Sequence, residues 1–207
     1  MKKILVGILA YDRKVDCDLM KTLLLIERTN KYHLDYLFPI SSHLARNRNY
    51  VVAEALKSDY DGVLFLDADM SIPDETFLDK MIETGYRLDA KIICGAYLMK
   101  KPDNEVVYIA ATKDGDKKPD NIRKIPPKPQ LIWAGGTGCM LIYREVFTKI
   151  EEPYFSIIDG KNLEVLPEDF YACEKAQKAG FKIALDPRFE TRHWGMKSWT
   201  HIPIDKT

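Results

Sequence analysis

Gly62-Val63-Leu64-Phe65-Leu66-Asp67-Ala68-Asp69-Met70 is an apolar run that ends in two carboxylates two residues apart. Apolar side chains at successive positions read as a strand buried on both faces, as in the middle of a parallel sheet with helices above and below. Ligands of such sheets bind beyond the carboxyl ends of the strands, where Asp67 and Asp69 fall. If the strand runs through them, its period of two puts both carboxylates on one side. Two acids that close repel each other unless a cation lies between them. A hard divalent cation, held by one or two carboxylates and by substrate phosphates, accounts for the pair. The plain alternative is a helix start, since Pro73, Asp74 and Glu75 follow and acids favour a helix N-terminus. That explains Asp74 and Glu75 but not two acids on the strand itself.

Outward from this run, strand and helix patterns alternate. Lys3–Leu9 reads as a first strand. Asp16–Glu27 reads as a helix with Leu19, Met20, Leu23 and Leu24 on one face. Leu34–Phe38 (strand), Leu44–Leu56 (helix), Val63–Leu66 (strand), Glu75–Arg87 (helix) and Ile92–Tyr97 (strand) follow. This order argues for a doubly wound α/β domain around a mostly parallel sheet. The second half is less regular, with strand patterns at Val106–Ala111, Ile132–Ala134, Cys139–Tyr143 and Lys182–Leu185. Pro167–Ala179 reads as a helix stopped by Gly180 in a left-handed conformation. Residues 113–129 are polar and proline-rich, with Pro119, Pro126 and Pro127, and read as a mobile loop placed to act as a lid. The tail from about residue 195 reads as flexible. Residues 1–207 read as a single domain.

Composition narrows the function classes. Lys plus Arg and Asp plus Glu both number 31, so no excess charge points to nucleic acid or an anionic membrane. Cys17, Cys94, Cys139 and Cys173 lack metal-type spacing and read as reduced core cysteines of a cytoplasmic protein. The start, Met1-Lys2-Lys3 before Ile4 to Ala10, lacks a small-residue cleavage site and reads as a strand rather than a signal peptide. No apolar run approaches the roughly 20 residues of a membrane span.

With Asp67-Ala68-Asp69 placed after βα units, the chain resembles the family 2-type glycosyltransferases of the GT-A fold, a Rossmann-like three-layer α/β/α sandwich. The resemblance covers about Lys3 to Gly195. Their DxD motif holds a divalent metal on a nucleotide-sugar diphosphate, so it implies that Asp67, Ala68 and Asp69 bind the donor. Four further matches follow in order. Leu44-Ala45-Arg46-Asn47-Arg48-Asn49 matches the family's Ala-Arg-Asn run, implying that Arg46 reaches the nucleotide; Arg48 reads as a surface arginine. Ala10-Tyr11-Asp12 matches the nucleotide-binding turn, where an aromatic can stack on the base and an acid can accept hydrogen bonds. Gly135-Gly136-Thr137-Gly138 matches the acceptor-side segment, though such a cluster is also an ordinary tight turn. Pro167-Glu168-Asp169-Phe170 matches the Glu-Asp motif, with Glu168 on the acceptor side and Asp169 as general base. Finally, His193 in Thr191-Arg192-His193-Trp194-Gly195 corresponds to the histidine that completes the metal site in many relatives.

The resemblance therefore implies a metal-dependent transfer of a sugar from a nucleotide-diphosphate donor (a UDP- or GDP-sugar) to a hydroxyl of a saccharide or other acceptor, with inversion. Asp67, Asp69 and His193 are the implied ligands, and an imidazole beside carboxylates favours Mn²⁺ over Mg²⁺. Two alternatives stay open: a haloacid-dehalogenase-like phosphatase using Asp67 as nucleophile and Asp69 as acid/base, or a non-catalytic sugar- or nucleotide-binding module.

Overall fold

The computed structural model describes the chain except residues 102–104, 116–117, 161–163, 196–197 and 204–207 and the side chains of Ser198 and Trp199. The elements run β1 (Lys2–Leu9), α1 (Cys17–Arg28), β2 (Tyr32–Leu37), α2 (Leu44–Lys57), β3 (Gly62–Asp67), β4 (Met70–Ser71), α3 (Phe77–Leu88) and β5 (Ile92–Gly95). The short strands β6 (Ala110–Thr112), β7 (Asp120–Asn121), β8 (Gln130–Ile132) and β9 (Ala134–Gly135) lead to β10 (Cys139–Tyr143) and α4 (Arg144–Lys149). Then come β11 (Ile158–Asp159), β12 (Val165–Leu166), α5 (Glu168–Lys178), β13 (Ile183–Asp186), β14 (Thr191–Trp194) and β15 (Ser198–His201).

The central sheet has seven strands in the order β2-β1-β3-β10-β5-β13-β8. β10 lies antiparallel between β3 and β5, and β8 is antiparallel to β13, while the other pairings are parallel. The alternation of buried side chains builds two cores. Ile4, Val6, Ile8, Leu64 and Leu66 meet α1 and α3 on one face. Leu5, Leu9, Val63 and Phe65 meet α2, α4 and α5 on the other. The result is the expected three-layer α/β/α sandwich. Each fully buried aliphatic or aromatic side chain contributes roughly 1.5–3 kcal/mol, so these two layers hold the strand ends rigid.

Several local expectations need correction. On α1 the buried stripe is Leu19, Leu23 and Ile26, whereas Met20 and Leu24 are exposed. Each is one step, about 100°, around the helix from a buried neighbour, which turns it to solvent. Cys17 is exposed at the start of that helix; only Cys94, Cys139 and Cys173 are buried core thiols. Gly180, in contrast, takes φ +91° just past α5, as its stop position requires.

Within the stretch 113–129, expected to be a mobile loop, a short strand and two packed isoleucines lie beyond residues 116–117. β7 pairs with β6, Ile122 is buried, the Tyr108 N–H donates to the Ile122 carbonyl at 2.9 Å, and the Ile122 N–H donates to the Ala110 carbonyl at 2.8 Å. Ile125 also packs on the core. Buried Ile122 and the β7 ladder join residues 120–122 to the small β7-β6-β9 sheet.

In the tail, β15 and the residues up to Pro203 are described, and His201 and Pro203 are buried. β15 pairs with β14, and the buried His201 ring lies 2.9 Å from the Pro187 carbonyl and 3.3 Å from the Tyr108 hydroxyl. His201→Ala removes both hydrogen bonds and leaves a gap, a loss of about 2–3 kcal/mol. In a domain of this size that lowers the melting temperature by about 4–12 °C, which a thermal melt of the full chain will read. A change of less than a degree would mean that the tail is not anchored there.

Candidate functional site

β3 ends on Asp67, and the chain then turns sharply through Ala68 and Asp69 into β4. The strand therefore does not run through both acids; Asp69 stands on the turn beyond it. β14 clamps this turn. Its register sets His193 opposite Met70, the Trp194 N–H donates to the Asp69 carbonyl at 2.8 Å, and Trp194 Nε1 donates to Ser71 Oγ at 2.9 Å. Residues 124 positions apart in sequence, Asp69 and His193, are thus neighbours: His193 Nε2 lies 3.6 Å from Asp69 Oδ1.

The other imidazole nitrogen, Nδ1, is 2.9 Å from the Leu98 carbonyl. A carbonyl cannot donate, so Nδ1 carries the proton and Nε2 presents its lone pair towards Asp69. Burial holds the His193 pKa below its usual value, against the opposing pull of the Leu98 carbonyl and Asp69. A neutral imidazole oriented through its far nitrogen is the usual state of a metal-ligating histidine. Asp69 and His193 are therefore the pair whose atoms could hold a divalent cation.

Asp67 is engaged elsewhere, and here lies the residue that the sequence reading missed. Arg48 is 2% exposed. Its Nη2 donates to Asp67 Oδ1 at 3.2 Å and its Nε to Glu168 Oε1 at 3.3 Å, while its carbon centre lies 5.5 Å from the Phe65 ring. Burial alone disfavours its charge, but Asp67, Glu168 and Asp169 outweigh that and raise its pKa. Nη1 is buried without a hydrogen-bond partner among the described residues. The signal was available: on α2, Arg48, Val51, Val52 and Ala55 are the buried stripe, spaced i, i+3, i+4, i+7. Arg46 lies off that stripe. It is exposed and lines a separate depression with Tyr50 and Tyr154, away from Asp67 and Asp69.

Glu168 and Asp169 open α5. Glu168 is buried under Arg48, and Asp169 is partly buried beside it. Loss of solvent, then the neighbouring Glu168 charge, push the Asp169 carboxyl up to about 7, against the pull of Arg48 and of the Phe170 N–H, which donates to Asp169 Oδ1 at 2.8 Å. A carboxyl with this pKa can exchange a proton near neutrality.

The cleft over the turn, about 570 Å³, is lined by Tyr11, Asp12, Lys14, Asp67, Ala68, Asp69, Lys100 and His193 among others. Tyr11 is 65% exposed on its rim, on a turn where Arg13 takes φ 63°. Ala10 is buried and offers only backbone, its N–H bonded to Pro39 and its carbonyl to Arg13. The glycine cluster does not line this cleft: Gly135, Gly136, Thr137 and Gly138 are all buried. A Cβ on Gly136 would stand 2.2 Å from the Tyr97 hydroxyl, and the Gly138 N–H donates to that hydroxyl at 2.8 Å. Close packing of Tyr97, whose ring also meets His193 edge-on, demands glycine at positions 136 and 138.

A larger cleft, about 1010 Å³, opens at the opposite, amino ends of the parallel strands around Lys2, Tyr86 and Tyr143. Its Arg144 is spent on carbonyls at the end of α2 and its Lys91 on Glu145. Among the described residues, three metal-type side chains come together at Asp16, Cys17 and Asp18. There the Asp16 carboxylate caps α1 and Asp18 pairs with Lys21, which marks a helix start. No helix among the described residues is long and apolar enough to cross a membrane.

No protein-family model matches the chain, and no curated protein does either. Solved structures do. The chain is similar to A197 from STIV, with a TM-score of 0.65 at 21% identity over 94% of this chain and 86% of that one. It is also similar to apo UDP-glucose pyrophosphorylase, with a TM-score of 0.51 at 11% identity over 97% of this chain and 92% of that one. S. aureus TarS aligns at a TM-score of 0.47 and 12% identity, and this chain spans 60% of its length. At these identities the likeness is one of fold: the chain has the GT-A-like three-layer architecture around a mostly parallel sheet.

Proposed function

We propose that the protein is a glycosyltransferase that takes a sugar from a nucleotide-diphosphate donor in the cleft above Asp67-Ala68-Asp69, with the aid of a divalent cation, and inverts the anomeric centre. What supports this most is the meeting of Asp69 and a neutral, oriented His193 just beyond the carboxyl end of β3, on one cleft lining with Asp67, whose charge bears on an Asp169 with a pKa of about 7. The charge of the cleft agrees: Asp12, Asp16, Asp67 and Asp69 line it against Lys14 and Lys100, four acids to two ammonium groups. A diphosphate enters such a lining only with countercharge. The fold is also shared with a protein named for a UDP-sugar, UDP-glucose pyrophosphorylase.

When bound, a divalent cation such as Mn²⁺ supplies charge neutralisation to the leaving diphosphate. The chain does the rest. Asp69 and His193 hold the cation, Tyr11 offers an exposed ring to the base, and Asp12 a carboxylate to ribose or base N–H groups. Arg48 holds Asp67 at the end of β3 and Glu168 at the start of α5 in one geometry. Asp169 accepts the proton of the acceptor hydroxyl as it attacks the anomeric carbon from the face opposite the diphosphate. A phosphatase nucleophile at Asp67 is disfavoured, since its Oδ1 is already tied to a buried guanidinium.

UDP and GDP are expected to raise the melting temperature only with Mn²⁺ or Mg²⁺ present, and the shift should vanish in excess EDTA. Asp69→Asn should remove the metal dependence while the fold persists. An equal shift in EDTA would overturn the cation assignment. Release of inorganic phosphate rather than nucleoside diphosphate would overturn the reaction class.

A further inference from the structure

Asp69 is shared. Its Oδ1 faces His193 and its Oδ2 is bonded by the Lys100 ammonium, so the oxygen next to the imidazole's partner is already held by a cation of the chain itself. Lys100 stands two residues beyond Leu98, whose carbonyl orients His193. This segment is anchored: Leu98 bridges to Tyr108, and the Met99 N–H donates to the Val107 carbonyl at 2.8 Å. Its backbone is held while the Lys100 side chain, a flexible stem bearing a point charge, projects into the cleft, 30% exposed. It is one of two ammonium groups on the lining, and the mechanism above leaves it unused.

We propose that Lys100 is a donor-binding residue that exchanges partners: it neutralises Asp69 in the free protein and turns to the diphosphate of the nucleotide donor when a divalent cation takes that carboxylate. The inference rests on the nucleotide-sugar reading of the cleft. Its physical reason is that an ammonium and a divalent cation cannot both sit on one carboxylate without strong repulsion. The displaced ammonium then finds phosphate oxygens, its best available acceptors, within the same cleft. Two consequences of opposite sign follow. Lys100 competes with the cation for Asp69, so removing it should tighten cation binding. It also contacts the diphosphate, so removing it should weaken nucleotide binding.

The experiment uses the full chain, wild type against Lys100→Gln and Lys100→Arg, with melts to verify the fold. Mn²⁺ alone is titrated by electron paramagnetic resonance; UDP and GDP are titrated by calorimetry at saturating Mn²⁺. Lys100→Gln is expected to bind Mn²⁺ alone about threefold or more tightly than wild type, and the nucleoside diphosphate roughly tenfold or more weakly, the scale of a lost charged hydrogen bond. Lys100→Arg should retain most of the diphosphate affinity. Wild type that binds the nucleoside diphosphate with Mn²⁺, beside a Lys100→Gln variant of equal affinity, would overturn the exchange and leave the donor reading standing. Wild type that binds neither UDP nor GDP at saturating Mn²⁺ would overturn both.

Discussion

Asp169→Asn is expected to cut turnover by ~10²–10⁴-fold, the usual contribution of a general base, with nucleoside diphosphate affinity unchanged. The base works only when ionised, and its carboxyl sits at about 7 because it is desolvated beside Glu168. Wild-type turnover should therefore rise with pH through about 7 and level off above. The same residue leaves a mark on stability that no activity assay is needed to see. Its folded pKa lies above its unfolded value of about 3.9, so through the window from about pH 4 to about 7 the native state holds a proton that the unfolded chain has lost. Stability is thus favoured below pH 4 and declines as pH rises through the folded value. Asparagine has no such cost, so Asp169→Asn should match wild type near pH 4 and exceed it at pH 8. Allowing for solvent screening at a partly exposed site, the gain is about 1–2 kcal/mol, or about 2–8 °C in melting temperature. Loss of donor binding in step with turnover would remove Asp169 from the base role, and a pH-independent difference in melting temperature would remove the raised pKa.

Arg48→Met is expected to be the most destabilising single change at the site. It strands Asp67 and buried Glu168 without their shared partner, and breaking a buried pair in this way costs about 3–5 kcal/mol. Arg48→Lys should recover part of that, since it keeps the charge but loses the two-pronged contact. Arg48→Met combined with Glu168→Gln should also recover part, because one buried charge fewer is left unpaired. A structural role predicts only these melting temperatures. Because Arg48 also pulls the Asp169 pKa down, the acid limb of the rate profile in Arg48→Gln should move to higher pH. Chemical denaturation of the series and the pH profile of the folded variants read both effects. A profile that stays in place would mean that Arg48 holds the fold together without tuning the base.

The sequence by itself determined the sandwich and the position of the two acids. Both are local: the apolar run of β3, the alternation of strand and helix patterns around it, and the acids at the strand end follow from side-chain periodicity along a few turns or pleats. The antiparallel course of β10 was beyond it, because a period of two looks the same whichever way a strand runs. So was the place of His201, since polar composition alone does not reveal its hydrogen bonds with Pro187 and Tyr108. The site itself shows the division most clearly. Asp67 and Asp69 were legible, but their partners are set by contacts across the fold: Arg48 19 positions from Asp67, Lys100 31 positions from Asp69, and His193 brought in by the pairing of β14 with β4. Arg48, which reads as a surface arginine, is buried for the same reason. Two arginines two residues apart stand about 200° apart on a helix, so only one faces the sheet, and packing of Val51, Val52 and Ala55 against that sheet chose Arg48.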